Sequence, residues 1–332
     1  MPTIQNILLI KPGAIGDVLQ LTPLIRALNK RYPAARISVI VGAGITADIF
    51  RHHPGVSETI IYDRTGVHRS LSALIGFWKE LRKKQYDLVL QFQRSSLRSW
   101  LLASAAFPSR VLVYHRSRDH SVHAVRNYLD TVKSLGIAGE DLRLELYVGG
   151  NDRLFAAELL GSHGLRGAAL VAFNPGASHA VNRWSADQFA ALADRISEHT
   201  SARAIIVGGP DDIALAESIV AAAATNPVNL AGKTTLLQLG ALLEQCQVLV
   251  TGDTGPMHIA TAVNTRVIAL FGAADPARTG PVGTGHRVIQ ARTVPCVPCR
   301  SRTCSNANLL ECMNAIGASD VFEALTGMLA SS

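Results

Sequence analysis

Through most of its length the chain alternates between short, unbroken apolar runs and longer stretches in which apolar residues recur every three or four positions. Runs such as Ile7-Leu8-Leu9-Ile10 and Val248-Leu249-Val250 are too short for helices and have no polar face, so they read as strands buried on both sides of a sheet. The stretch 18–32 carries Val18, Leu21, Leu24, Ile25 and Leu28 at helical spacing and reads as a helix laid against such a sheet.

In the first half, strands are expected over 5–10, 37–41, 58–62, 87–92 and 110–114, with helices over 18–32, 45–51, 71–84, 97–105 and 124–135. Strand and helix alternating at this spacing predict a parallel sheet covered on both faces, the doubly wound α/β class. A connecting strand is expected over 142–148, after which Gly149-Gly150-Asn151-Asp152 breaks the pattern before a helix over 154–160. The domain boundary is expected between 148 and 167 and is set at 155/156, giving domains 1–155 and 156–332. A second alternating set follows, with strands over 168–173, 204–207, 247–250 and 266–271, helices over 187–198, 214–224, 236–244 and 259–263, and a terminal helix over 319–330 capped by Ser319 or Asp320.

Strand ends run into glycine and small polar residues, which let backbone amides approach a ligand closely. The opening turn, Lys11-Pro12-Gly13-Ala14-Ile15-Gly16-Asp17, lacks the leading Gly-x-Gly of a dinucleotide site, and no acidic residue closes the strand over 37–41. A nicotinamide cofactor is therefore not expected. Asp17 by itself reads as an N-cap for the helix starting at Val18. In Thr251-Gly252-Asp253-Thr254-Gly255-Pro256-Met257-His258, a strand ends in a glycine turn and feeds a helix with proline in its first turn, which leaves backbone N–H groups for an anion. Asp253 would repel a diphosphate, so it suits hydrogen bonds from sugar hydroxyls; Thr254 can cap the helix or bind phosphate, and His258 lies one turn further in, facing the same mouth. The plainer alternative is an ordinary helix start with a satisfied histidine behind it.

Charge adds an asymmetry. Of a net +7, residues 1–150 carry 20 Lys and Arg against 11 Asp and Glu, a net +9, whereas residues 151–332 carry 12 against 14, a net −2. The first half thus calls for an acidic partner, a phosphorylated lipid headgroup or nucleic acid. Arg94, Arg98, Arg116, Arg118 and Arg126 follow or lie near strand ends, on the edge where open sheets place ligands, whereas Arg82-Lys83-Lys84 reads as a solvated helix end. With 5% aromatic residues and no recognised motif, nucleic acid is the poorer partner. No apolar run reaches the roughly 18 to 20 residues of a membrane span, no basic segment precedes an apolar core at the amino terminus, and no amphipathic helix stands out as an anchor, so a cytoplasmic protein is expected.

Taken together these motifs resemble glycosyltransferase family 9, the heptosyltransferases of the lipopolysaccharide inner core. The resemblance covers nearly the whole chain: Ile7-Leu8-Leu9-Ile10-Lys11 with Gly13-Ala14-Ile15-Gly16-Asp17 and Thr22-Pro23, then Tyr86-Asp87-Leu88-Val89-Leu90-Gln91, Asn174-Pro175-Gly176-Ala177, Arg183-Trp184, Gly208-Gly209, Gly232-Lys233-Thr234, Asp253 to Ala260, and Leu270-Phe271-Gly272. It implies a GT-B fold, two Rossmann-like doubly wound domains facing across a cleft, with donor bound by the carboxyl-terminal domain and acceptor by the amino-terminal one. It further implies an inverting, metal-independent transfer of heptose from ADP-heptose to an acidic glycolipid, without a cofactor, at the inner-membrane surface. On that resemblance Asp17 is the general base. Asn174, Gly176, Ser178, Arg183, Lys233, Asp253, Thr254, Gly255 and His258 are donor-site candidates, and Lys11, Arg94, Arg98, Arg116 and Arg118 acceptor-site candidates. Many relatives read Lys-Arg-Trp-Pro where this chain has Asn182-Arg183-Trp184-Ser185. Either Arg183 or Lys233 replaces that lysine, or the donor differs. A transferase with another nucleotide sugar or a protein acceptor, and a non-catalytic nucleotide-binding protein, remain the alternatives.

Cys246 stands alone among apolar neighbours and reads as a buried thiol. Cys296, Cys299, Cys304 and Cys312 form Cys-x2-Cys-x4-Cys-x7-Cys in a loop over 293–315. In a cytoplasmic protein that spacing suggests a metal cluster before disulfides, reduced structural thiols are the reading preferred over metal, and a closed four-thiolate site would be structural. No catalytic metal is expected, since the chain has no Asp-x-Asp.

Overall fold

The computed structural model describes residues 4–42, 44–93, 96–107, 109–119 and 121–330, and in it the apolar runs form two separate parallel sheets. The first contains β1 (Asn6–Ile10), β2 (Arg36–Gly42), β3 (Glu58–Tyr62), β4 (Leu88–Gln91) and β5 (Arg110–Val113), in the order β3-β2-β1-β4-β5. The second contains β6 (Leu170–Asn174), β7 (Arg203–Ile206), β8 (Val228–Asn229), β9 (Val248–Gly252), β10 (Arg266–Phe271) and β11 (Arg287–Gln290), in the order β11-β10-β9-β6-β7-β8. The central strands are buried throughout, as runs covered by helices on both faces must be: Ile7 to Ile10 expose no surface, and neither do Val248, Leu249 and Val250. Register follows from this burial, with Ile7 opposite both Ile37 and Leu88, and Val171 opposite Val248.

The expected helix over 18–32 is two helices, Ile15–Leu19 and Thr22–Arg31. Pro23 has no N–H to give the Leu19 carbonyl, and the Thr22 hydroxyl supplies the missing donor at 2.8 Å. The expected strand over 142–148 does not form a ladder. That segment instead accepts from and donates to helix Thr22–Arg31: Arg26 Nη2 bonds the Asp141 and Arg143 carbonyls at 3.1 and 3.0 Å, and the Glu145 N–H reaches Thr22 Oγ1 at 3.0 Å. Two strands went unread. β8 is two residues long, and β11 is a half-exposed edge strand with polar ends.

The chain divides into compact units at Tyr147/Val148, earlier than 155/156. The reason is helix Gly150–Ser162, which starts ahead of the expected 154 and belongs whole to the second unit. It packs on helix Leu236–Leu243, and Arg153 grips Glu244 through two bonds of 2.7 and 2.8 Å. The terminal helix runs Ala318–Leu329. Its N-cap position is Gly317, whose N–H donates to Asp320 Oδ2 at 3.2 Å, so Asp320 takes the reciprocal role in the cap and Ser319 none. Val321, Leu325 and Met328 of this helix enter the second unit's core with Phe173, Phe189 and Ile196.

Candidate active site

In the second unit the chain leaves β6 for β7 on one side and returns through β9 on the other, so the carboxyl ends of β6 and β9 flank the point where a doubly wound sheet binds its ligand. Asn174 ends β6 directly opposite Thr251 of β9. Its buried Nδ2 lies 3.1 Å from the Gly176 carbonyl, 3.0 Å from Thr251 Oγ1 and 3.2 Å from Thr254 Oγ1, and the two threonine hydroxyls are 3.1 Å apart. One amide thus ties the turn after β6 to the start of helix Gly255–Ala262. Thr254 is the extended N-cap residue but makes no side-chain cap, its hydroxyl being held by Asn174. The first-turn N–H groups keep their capacity for an anion.

Gly252 is required here by space. A Cβ on it would stand 2.2 Å from the Asn182 carbonyl oxygen, so the 180–182 turn packs against the bare backbone of β9. The Asn182 amide lies 3.5 Å from the Asp253 carbonyl. Beside it Arg183 donates Nε and Nη2 to the Ala177 carbonyl at 3.0 and 2.8 Å, which holds the turn bearing exposed Ser178. Trp184 is buried and donates Nε1 to the Ile316 carbonyl at 2.8 Å.

Asp253 is oriented by a residue absent from the sequence reading, Thr279, whose hydroxyl donates to Asp253 Oδ2 at 3.1 Å. The short helix Pro276–Thr279 that carries it is capped by Asp275, which accepts from the Ala277 N–H at 3.1 Å and is held by Arg300 Nη2 at 2.7 Å. The structure therefore gathers Asn174, Gly176, Asp253, Thr254 and Gly255 at one strand edge, with Arg183 and Ser178 on the adjoining turn. His258 is buried at 4% exposure behind this edge, one turn into the helix. Lys233 is elsewhere on the edge, after β8 and two strands from β6, with Nζ 3.3 Å from His163 Nε2.

In the first unit the equivalent point lies between β1 and β4. Asp17 is not the N-cap. Helix Ile15–Leu19 begins two residues earlier, its N-cap is Ala14, and Asp17 sits in the first turn. Its carboxylate is half exposed and pairs with Lys11 Nζ at 3.2 Å, while Lys11 Nζ stands 5.6 Å from the ring centre of Tyr128. Tyr128 packs edge-on against Phe92 and Tyr114. Burial pushes its hydroxyl well above the usual tyrosine range, Asp17 adds to the rise, and Arg116 opposes it, which puts exposed Arg116 within electrostatic reach of this group. Gln91, which ends β4, is buried with neither amide atom hydrogen-bonded among the described residues.

A cavity of about 290 Å³ opens at the same carboxyl edge, lined by Pro12, Gly13, Gly42, Asp63, Arg64 and Gln93 among others. The Gly66, Val67 and Thr65 N–H groups hold the Asp63 carboxyl below the ordinary range. The expected arginines are only partly gathered here. Arg98 donates to the carbonyls of His68 and Arg69 at 3.3 and 2.8 Å, so it clamps the turn before helix Leu71–Lys83; Arg118 is exposed after β5, and Arg94 lies outside the described residues.

Cys296, Cys299, Cys304 and Cys312 line one cavity of about 180 Å³, all as free thiols. The Leu310 N–H reaches Cys304 Sγ at 3.3 Å, and burial with the neighbouring Cys296 and Cys299 pushes the Cys312 thiol up. Among the described residues no group of three or more His, Cys, Asp or Glu side chains is arranged to hold a metal ion. Cys246 is a buried thiol bonded to the Leu242 carbonyl, pushed up to about 12 by burial.

Two doubly wound parallel sheets in tandem make up the GT-B fold. The chain belongs to glycosyltransferase family 9 (heptosyltransferase), whose match spans residues 74–310. It is 28% identical over 306 residues to the lipopolysaccharide core heptosyltransferase OpsX of Haemophilus influenzae, covering 86% of this chain and 84% of that protein. Among solved structures it is similar to a family 9 glycosyltransferase from Veillonella parvula, with a TM-score of 0.88 and 24% identity over 100% of this chain and 99% of that one. It is also similar to E. coli heptosyltransferase WaaC with ADP, with a TM-score of 0.71 and 18% identity over 98% of this chain and 100% of the other.

Proposed function

We propose that this glycosyltransferase moves heptose from ADP-heptose to a hydroxyl of the lipopolysaccharide inner core, with inversion and without a metal. The observation that carries the reading is the edge where Asn174, Thr251 and Thr254 interlock beside Asp253, in a chain of the heptosyltransferase family. The ADP in the E. coli structure and the core activity in the name of the Haemophilus relative support the donor and the acceptor class.

In this reading the Gly255 and Met257 N–H groups meet the diphosphate at the helix start, and Asp253, aimed by Thr279, accepts hydrogen bonds from heptose hydroxyls. Asp17 acts as general base. It takes the proton of the acceptor hydroxyl as that oxygen bonds the anomeric carbon, while the bond from that carbon to the ADP oxygen breaks and ADP departs with the electron pair. Lys11, paired to Asp17 and packed over Tyr128, positions the carboxylate. Arg183 and Ser178, on the turn next to the helix start, and Lys233 offset charge on the departing ADP, a role that no Asp-x-Asp is present to give to a cation. Arg116 and Arg118 supply the basic surroundings of an acidic glycolipid, and the chain works at the inner face of the inner membrane.

The test is titration calorimetry with ADP, GDP, UDP and ADP-heptose on wild type and Asp253→Ala, followed by a transfer assay with ADP-heptose and a Kdo-lipid A acceptor. ADP preference that Asp253→Ala leaves intact while heptose-dependent affinity falls supports the reading. Preference for UDP or GDP points to another donor, and no nucleotide binding to a non-catalytic protein.

A further inference from the structure

Helices Leu71–Lys83 and Leu97–Ser104 lie side by side on one face of the first sheet. Their relative placement is fixed at both ends. Arg98 reaches the His68 and Arg69 carbonyls just ahead of the first helix, while Trp78 Nε1 donates to Ser104 Oγ at 3.1 Å and Arg82 Nη1 to the Phe107 carbonyl at 3.3 Å. The inward faces pack Leu74, Leu81, Leu102 and Ala103 into the core. The outward faces are unusual. Leu71 and Ile75 on one helix, and Leu97, Trp100 and Phe107 on and just after the other, follow helical spacing of three and four and are exposed by 67, 40, 91, 51 and 72%.

Single exposed apolar residues are ordinary, but five large ones on two adjoining helices form a patch of the kind soluble surfaces avoid unless it has a partner. Its surroundings state the partner's chemistry. Over 69–84 the cations Arg69, Lys79, Arg82, Lys83 and Lys84 outnumber Glu80, the one acid in that stretch; Lys83 pairs with Glu80 and Lys84 with Glu58, which leaves Arg69, Lys79 and Arg82 in excess, and 96–107 adds Arg98 with no acid. The Arg82 guanidinium itself lies over the Trp78 ring at 5.3 Å, so a cation sits directly beside the apolar residues of this face. Exposed apolar side chains on helices with this excess of cations suit an anionic bilayer surface, where the former enter the headgroup boundary and the latter meet phosphates.

We infer that the paired outer faces of Leu71–Lys83 and Leu97–Ser104, with Phe107, dock the protein on a bilayer containing anionic lipid. The inference deepens the proposed reading of a membrane-held glycolipid acceptor and rests on it for the source of the surface. Vesicle partition, however, measures it without any transfer reaction. No segment crosses the bilayer in this arrangement, and among the described residues no helix is long and apolar enough to do so.

The experiment is co-sedimentation of the full chain with phosphatidylcholine vesicles, with and without phosphatidylglycerol, for wild type, Leu97→Ser/Phe107→Ser and Lys79→Glu/Lys83→Glu. The exposed substitutions should leave the thermal midpoint and ADP binding unchanged, which separates lost docking from lost fold. Wild type should partition at least about tenfold better onto the anionic vesicles, and each double variant should lose about tenfold of that. Failure of wild type to distinguish the vesicles, retention of full partition by both variants, or a shift from dimer to monomer in Leu97→Ser/Phe107→Ser without vesicle binding by wild type would overturn the inference. Transfer to a deacylated acceptor should be the same in all three proteins. If transfer occurs but partition does not, only the docking surface is wrong; if partition occurs without transfer from ADP-heptose, only the reaction is.

Discussion

Thr279 and Asp253 are joined by a 3.1 Å hydrogen bond that crosses from a short helix after β10 to the turn after β9, so the carboxylate's direction is set from outside its own loop. Removing the donor tests what that direction is worth. Thr279→Val keeps the shape and loses the bond, and it should weaken donor affinity about fivefold, the effect of roughly 1 kcal/mol. Asp253→Ala should cost more, because under the proposed function the heptose hydroxyls then lose their acceptor. Calorimetric titration with ADP-heptose and with ADP checks both, since only the heptose-dependent part of the affinity should fall.

Asp17→Asn should abolish most turnover while leaving donor binding intact. A positioned base contributes about a hundredfold to ten-thousandfold, and an amide cannot take the proton. Single-turnover rates beside ADP-heptose titration separate the two effects, and a variant turning over at more than a tenth of the wild-type rate would remove Asp17 from the chemistry.

Gly252→Ala puts a methyl 2.2 Å from a backbone oxygen, which cannot swing away as a side chain could. The 180–182 turn has to shift, at a cost of about 1 to 3 kcal/mol, and Arg183 and Asn182 shift with it. Thermal denaturation should show a lower midpoint and titration a weaker donor. An unchanged midpoint would mean the turn is looser than its packing.

His53 gives the first unit an acid sensitivity. Burial lowers its pKa to about 4, the lowering outweighing the raising effect of Glu145, whose carboxylate is 3.7 Å away. The folded state therefore keeps the imidazole neutral where the unfolded chain, titrating near the ordinary 6.5, takes up a proton. Stability is fully present above about pH 6.5, declines as the pH falls, and stops declining on this account near 4, with a total of at most about 3 kcal/mol. Urea melts from pH 7.5 to 4 should show the decline in wild type and a shallower one in His53→Gln.

What was legible in the sequence followed from burial. Strands with no polar face, such as Ile7 to Ile10, could be read from the apolar run alone, and turns rich in glycine at strand ends marked one edge in each sheet, that of Asp17 in the first and that of Asn174 and Asp253 in the second. Boundaries that depend on a single hydrogen bond were not legible. Nothing in the residues shows that the Thr22 hydroxyl compensates Pro23 and divides a helix, or that the helix bearing Asp17 begins at Ile15. Thr279 escaped because its partner is 26 residues away. The apolar patch escaped because neither helix carries it alone; Leu71 and Ile75 need Leu97 and Phe107 beside them. Tyr128 was likewise one aromatic in a helix until the fold set it under Lys11.

Each sheet is made wholly from one side of the Tyr147/Val148 division, and each unit has its own apolar core, one around Leu8, Ile40 and Leu102, the other around Phe173, Phe189 and Leu325. The chain thus holds two cooperative blocks, so calorimetric melting should resolve into two transitions or one broadened below the two-state limit. Nucleotide at the end of β6 and β9 would raise only the transition of the second block, and acid acting through His53 would lower only that of the first. The two units become separately addressable by heat.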